Sequence, residues 1–338
     1  MNYMFEPKRV IFEDAALEYE KGKQILSYFK DKDVEILYSK SGRITQIPGD
    51  TAQKMYFEGK STLVVGIRKI GNFQSCKPSA NYQLPLVSGC MGMCEYCYLN
   101  TQMGKKPYIK VYVNTDEILN KADKYIKERG ENITVFEGAA TSDPVPVEPY
   151  SGNLKEAIIH FGKIKNSRFR FVTKFIDIHN LLRVEHNGRT TIRFSLNTDR
   201  IISKFEHGTP KIQDRINAAS SILKAGYHLG FIIAPVFLYD GWKMEYGSII
   251  EEIGERFSGQ DISFEIISHR FTKRAKENIL TVYPKTTLPM EEEIRKFKYG
   301  QFGYGKYVYT KDKLDDMREF FKNKIGNYFN ESNIKYII

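Results

Sequence analysis

G-C-M-G-M-C-E-Y-C-Y-L-N, residues 89–100, holds three of the chain's four cysteines. Cys90, Cys94 and Cys97 fall within eight residues. A buried cysteine packs as a small apolar side chain and needs no neighbour of its own kind, so packing does not explain the cluster. Three soft thiolates on one short loop match what an iron–sulfur cluster demands. A cubane has four irons, so three ligands leave one iron open. A closed zinc site instead completes a tetrahedron, usually with two pairs of Cys or His. The fourth cysteine, Cys76, stands alone, and no histidine lies close in sequence. The ligand count therefore favours the open cluster. Cys76 itself reads as a lone core or surface thiol.

The C-x3-C-x2-C spacing, with Tyr96 just before the last cysteine, resembles the signature loop of the radical S-adenosylmethionine (SAM) enzymes. The resemblance implies a [4Fe-4S] cluster held by Cys90, Cys94 and Cys97, with SAM chelating the open iron. It implies that the reduced cluster splits SAM into methionine and a 5′-deoxyadenosyl radical. It also implies an electron donor such as flavodoxin or ferredoxin.

The chain has 338 residues, 41% of them hydrophobic, enough for a full core. One domain per ~150 residues suggests two, although a barrel can absorb the length alone. Lys and Arg number 51 against 41 acidic residues, a net charge of +10. That excess suits a polyanionic partner, and it suits a basic cytosolic enzyme equally; charge speaks to association and not to fold. The 22 Tyr and 22 Phe suit base stacking and ordinary packing alike. Residues 1–15 carry Glu6, Lys8, Arg9, Glu13 and Asp14 and have no apolar h-region, so no signal peptide is expected. The longest apolar run, 230–239, is too short to cross a bilayer. Clustered thiols need a reducing compartment, which places the chain in the cytoplasm.

Patterning divides the chain into three. Residues 1–80 read as a small N-terminal α/β region, with a strand at 9–13, a helix at 15–30 and β-branched runs at 34–38 and 62–67. Between 81 and 285, strands are expected at 83–87, 133–137, 169–174, 191–196, 228–236 and 262–267. Segment 108–113 reads as an extended insertion. Helices are expected after the Asn114 cap, with Glu117 three residues on, and at 154–164, 178–184, 212–225 and 249–257. Thr209 and Pro210 suit the start of the 212–225 helix. Alternation of this kind implies βα units on a parallel sheet. Six units fall short of the eight in a closed barrel. The radical SAM resemblance implies the open form, an α/β partial (β/α)6 barrel. Residues 286–338 form a C-terminal β-hairpin and helix extension.

In parallel βα barrels the chemistry gathers at the C-terminal strand ends, and here those ends are polar. Lys174 is a point charge suited to the SAM carboxylate. Ser142 and Asp143 can accept from its ammonium. Ser195 and Asn197 can bond its ribose hydroxyls or carboxylate, and Ala234, before Pro235, can line its adenine. Glu206 and Arg215 read as an ordinary salt bridge. Five histidines read as structural or surface residues, while His269 stands at a strand end and can face the cavity or start a helix.

Taken with the loop, the strand-two segment F-E-G-A-A-T-S-D-P and the strand-four segment F-S-L-N resemble the spore photoproduct lyases over nearly the whole chain. The resemblance implies repair of double-stranded DNA in the spore core. The radical removes hydrogen from ring carbon six of a methylene-bridged thymine dimer, the bridge fragments, and hydrogen returns to the thymine radical. Tyr96 and Tyr98 resemble that family's tyrosine relay back to SAM; packing around the cluster is the competing reading. The family has a cysteine beside Ser142 that returns the hydrogen, and this chain has Ala140 there. An impaired, engineered variant is the expectation that follows. The segment F-K-Y-G-Q-F-G-Y-G-K-Y-V-Y, 297–309, reads as a hairpin in which Lys298 and Lys306 meet phosphates and Tyr304 or Tyr307 wedges beside flipped bases. Packing on the barrel is the alternative for each tyrosine. Two further readings stay open: another radical SAM enzyme acting on RNA or a small metabolite, and a nucleic-acid-binding module with a structural metal.

Overall fold

The computed structural model describes residues 3–40, 42–99, 103–299 and 305–338. Two sheets organise it. The larger is a curled half-barrel of eight strands, ordered Ile334–Ile337, Ile262–Ser268, His228–Val236, Thr190–Leu196, Ser167–Thr173, Thr134–Glu137, Ala80–Gln83 and Ser75–Cys76. Neighbours run parallel, except for the antiparallel pair at the Ser75–Cys76 edge. The expected open α/β barrel is present with a further strand at each edge, but its first strand is Ala80–Gln83 where 83–87 is expected, and Val87–Ser88 joins the smaller sheet.

Period-two alternation sets the two faces of this sheet. Along Ser167–Thr173, Phe169 and Phe171 are fully buried and stack outward with Phe161 of the helix Asn153–Gly162. Arg170 and Val172 take the opposite face, and Lys174 continues their register into the cavity at the strand end. The alternation that builds the core thus also aims polar residues at the site.

Two helices differ from expectation. Segment 178–184 holds only the 3-10 turn His179–Leu181. The helix expected at 249–257 begins earlier, as Trp242–Arg256, because Gly241 takes φ 86 and starts it. Trp242, Tyr246, Ile249, Ile250 and Ile253 then form one buried face. That face packs against the helix Lys311–Gly326, where Trp242 meets Phe320 and Phe321. Thr209 does not cap the helix Ile212–Lys224; Lys211 is its N-cap, and the Thr209 hydroxyl bonds the Glu206 carbonyl instead, at 2.9 Å.

The smaller sheet runs Glu35–Ser39, Arg9–Glu13, Thr62–Gly66, Ile109–Tyr112 and Val87–Ser88. Its last two strands come from beyond residue 80, and Ser75–Cys76 and Ala80–Gln83 from before or across it join the barrel. The cysteine loop is therefore an excursion between two strands of the smaller sheet.

Gly89 turns the chain out of that sheet. Its φ is +84, and an added Cβ would run into the Tyr108 carbonyl oxygen. Both facts exclude a side chain. Gly89→Ala should destabilise the fold by roughly 1–3 kcal/mol, the range for backbone strain of this kind. A urea midpoint matching the parent would show that the turn relaxes freely.

Candidate active site

At the strand ends lies a cavity of about 500 Å³, inside the ~300–1,000 Å³ usual for small-molecule sites. Cys90, Cys94, Cys97, Tyr96 and Tyr98 border it from the loop. Ser142, Asp143, Lys174, Ser195 and Ala234 border it from successive strands. Sequence reasoning therefore brought all but one of the proposed SAM contacts to a single place. His269 and Arg270 border it too. Burial, and then Arg295, hold the His269 imidazole far below its ordinary value, so it stands neutral.

The exception is Asn197. It is wholly buried, its amide donates to the Pro235 carbonyl at 2.9 Å, and its oxygen accepts from Tyr246 at 2.7 Å. It is not among the residues bordering the cavity. Asn197 braces the strand ends from behind, bonding the Pro235 carbonyl and Tyr246.

The loop is anchored on the far side of the cavity. Met93–Cys94 pairs antiparallel with Glu206–His207, and the Glu95 carboxylate meets His207 at 2.7 Å. Among the described residues, no three Cys, His, Asp or Glu side chains converge as a mononuclear metal needs. A cubane makes a different demand, since each thiolate meets its own iron. The three thiols border one cavity, and Cys94 and Cys97 act electrostatically on Cys90. Burial pushes the Cys94 thiol up to about 11, and Cys90 also up. Ionising them in place requires a cation, which an iron cluster supplies.

The opposite wall has an unsatisfied group. The Ser142 hydroxyl is buried, borders the cavity and finds no hydrogen-bond partner among the described residues. Buried hydroxyls are rarely left so, and a polar ligand would satisfy this one. Asp143 is differently placed. Its oxygens accept from the Thr173 hydroxyl at 2.8 Å and the Lys174 amide at 2.9 Å. Burial outweighs these bonds and pushes its carboxyl up to about 6.

Glu206 is more than a plain salt bridge. One oxygen lies 2.7 Å from the Lys174 ammonium and also accepts from the Tyr96 hydroxyl. The other lies 2.7 Å from the Arg215 guanidinium, with both side chains fully buried. Lys174 donates in turn to the Tyr96 oxygen at 2.6 Å and stands 3.8 Å from the Cys94 sulfur. One buried carboxylate thus fixes a tyrosine and a lysine beside the loop.

Tyr98 stands on the other side of the cysteines. It is 55% exposed, and it borders the cavity. Its hydroxyl donates to the Ala140 carbonyl, and Cys76 is near enough to act on it electrostatically. Cys76 is half-buried at the sheet's edge, where burial, and then Glu137, push its thiol up to about 12. Glu137, Arg193 and Arg170 are near enough to act on it electrostatically. The sequence pointed here too, with a missing thiol at 140 and an unexplained one at 76.

On the C-terminal hairpin, Lys296–Tyr299 pairs with Gly305–Val308, and Lys298 stands opposite Lys306. Like charges in that register oppose pairing, and Arg270 at the cavity mouth adds to the field on Lys306. Tyr304 lies outside the described residues. Tyr307 stacks on Phe271 at 5.3 Å and packs against the barrel, so it is no wedge. The exposed rings here are Phe297 at 49% and Tyr299 at 73%.

Comparison with known proteins follows the same outline. The family model for spore photoproduct lyase matches residues 5–338. The spore photoproduct lyase of Clostridium acetobutylicum is 59% identical over 338 residues, all of both chains. That of Bacillus subtilis is 45% identical, with 99% of each chain covered. A solved spore photoproduct lyase with bound AdoMet and dinucleoside spore photoproduct superposes with TM-score 0.95 at 43% identity, covering 99% of each chain. That structure is of a double mutant, with cysteine exchanged for alanine at its position 140 and serine for cysteine at its position 76.

Proposed function

This chain belongs to the spore photoproduct lyase family, and we propose that it returns the methylene-bridged thymine dimer to two thymines with Cys76 as hydrogen donor. It is a lyase that uses a [4Fe-4S] cluster and SAM, and its substrate is the spore photoproduct. When bound, these cofactors supply the 5′-deoxyadenosyl radical that takes hydrogen from ring carbon six of the lesion.

The chain's residues do the rest. Cys90, Cys94 and Cys97 hold the cluster. Lys174, Ser142, Ser195 and Ala234 hold SAM, with Lys174 aimed by Glu206. Asp143 fixes the turn that presents Ser142. The observation that carries this reading is the single cavity bordered by the three loop cysteines, the Ser142 hydroxyl and Lys174.

Once the bridge opens, a thymine radical needs one hydrogen atom. Ala140 has none to give, and with no other thiol in reach the chain would be impaired. We assign the donor's role to Cys76, which acts electrostatically on the cavity residue Tyr98 and whose proton is kept on by burial. The S–H bond breaks, a C–H bond forms on thymine, and a thiyl radical is left on Cys76. The Tyr98 hydroxyl then transfers its hydrogen atom to that sulfur, and Tyr96 continues the relay toward SAM. The double exchange in the solved relative creates the alanine and cysteine that this chain has at 140 and 76, which supports the pairing.

The test is anaerobic: reconstituted protein, SAM, a one-electron reductant and dinucleoside spore photoproduct, with thymine dinucleotide followed by chromatography. SAM cleavage without thymine would sink the reading. A flavodoxin or ferredoxin is the proposed reductant in the cell. No helix among the described residues is long and apolar enough to cross a membrane, and a spore-core location is part of the proposal.

DNA contact is assigned to the hairpin, through Lys298, Lys306 and the exposed Phe297 and Tyr299. Each phosphate-bound lysine removed should lower the salt slope of log K by about 1. Lys298→Ala with Lys306→Ala should therefore weaken lesion-duplex binding and flatten its salt dependence. Unchanged affinity and slope would take the hairpin out of the interface.

A further inference from the structure

The helix Ala52–Lys60 of the smaller sheet's layer ends beneath the cysteine loop. Lys60 is only 4% exposed. Its ammonium donates to the Cys90 carbonyl at 2.8 Å and the Gly92 carbonyl at 2.9 Å, and it stands 5.6 Å from the Tyr56 ring centroid. Among the described residues no carboxylate pairs with it. A buried ammonium without a counter-charge is unfavourable, and carbonyl dipoles compensate it only in part. Two other buried cations are paired with carboxylates, Arg193 with Glu137 and Glu265 and Arg215 with Glu206, whereas buried Arg295 bonds the His269 and Pro289 carbonyls and lies over the Tyr309 ring.

We infer that Lys60 is a positioning residue whose missing counter-charge is the cluster itself. A [4Fe-4S] core with three thiolate ligands is anionic, and accepting an electron makes it more so. A fixed positive charge, tied to the backbone of the first ligand, favours the reduced form and raises the reduction potential. The same two hydrogen bonds hold the loop's first turn. Lys60 lies outside the loop, at the end of a helix of the other layer, so this contact also couples that layer to the cluster. The inference rests on the loop holding the cluster as proposed above.

The test is an EPR-monitored redox titration of reconstituted full-length protein, with iron content and circular dichroism recorded alongside. Lys60→Met should move the potential to more negative values. The expected change is about tenfold in the reduction equilibrium, which for one electron is about 59 mV. Lys60→Arg, which keeps the charge, should stay close to the parent. Lys60→Gln keeps an N–H donor without the charge and should shift as Met does, which covers the case in which Met fails to retain iron. A parent-like potential in Lys60→Gln would overturn the inference and leave Lys60 a structural tie. A parent protein showing no [4Fe-4S] signal would sink the cluster site, and the inference with it.

Discussion

Cys76→Ala should leave SAM cleavage intact and remove most of the clean thymine product. The argument is one of supply. The lesion's bridge can open without Cys76, because that thiol is neither a cluster ligand nor one of the proposed SAM contacts. The thymine radical then has no S–H in reach and is quenched by whatever is present. Cys76→Ala combined with Ala140→Cys should restore clean thymine, since it moves the donor to the position the family otherwise uses. Two results would refute this. One is an unchanged thymine yield in Cys76→Ala. The other is a parent chain whose products are already misquenched and are corrected by Ala140→Cys alone.

The second large effect is expected at Glu206. Glu206→Gln strands the fully buried Arg215 and the half-buried Lys174, and removing one partner of a buried pair typically costs about 3–5 kcal/mol. The substitution should also release Tyr96 and let Lys174 swing, so SAM binding should weaken with stability. A pH signature separates this from generic damage. Burial works to raise the Glu206 carboxyl, yet Lys174 and Arg215 bring it down from 4.5 to about 2. A depressed carboxyl contributes stability that is present above its unfolded value and is lost as pH falls through its folded value. The urea midpoints of parent and Glu206→Gln should therefore differ most near neutrality and converge between pH 4.5 and about 2. Parallel curves down to that limit would mean that Glu206 is not the ion the geometry describes.

The sequence made the site legible wherever one signal sufficed. Three clustered thiols needed no structure to be read as a cluster loop, and period-two strands with polar ends placed Lys174, Ser142 and Ser195 together. Family membership then removed the RNA, metabolite and binding-module readings that the loop alone left open. What stayed hidden depends on side-chain direction and on distant pairing. Asn197 has the same strand-end position as its neighbours, but Tyr246, 49 residues on, claims its oxygen. Tyr307 looked like a wedge until Phe271 took its ring face. Glu206 and Arg215 were legible as a pair, but that Lys174 and Tyr96 join them from other elements was not. The electrostatic coupling of Cys76 to Tyr98 depends on distant pairing that the sequence does not carry.

The way the two sheets share strands limits how this chain can be cut. Strands at Val87–Ser88 and Ile109–Tyr112 complete the smaller sheet from either side of the cysteine loop, and Ser75–Cys76 and Ala80–Gln83 are lent the other way. A fragment ending at residue 80 would leave raw edges on both pieces, and neither would be a foldable unit. Iron loading is accordingly expected only after the whole chain has left the ribosome and both layers have closed around the loop.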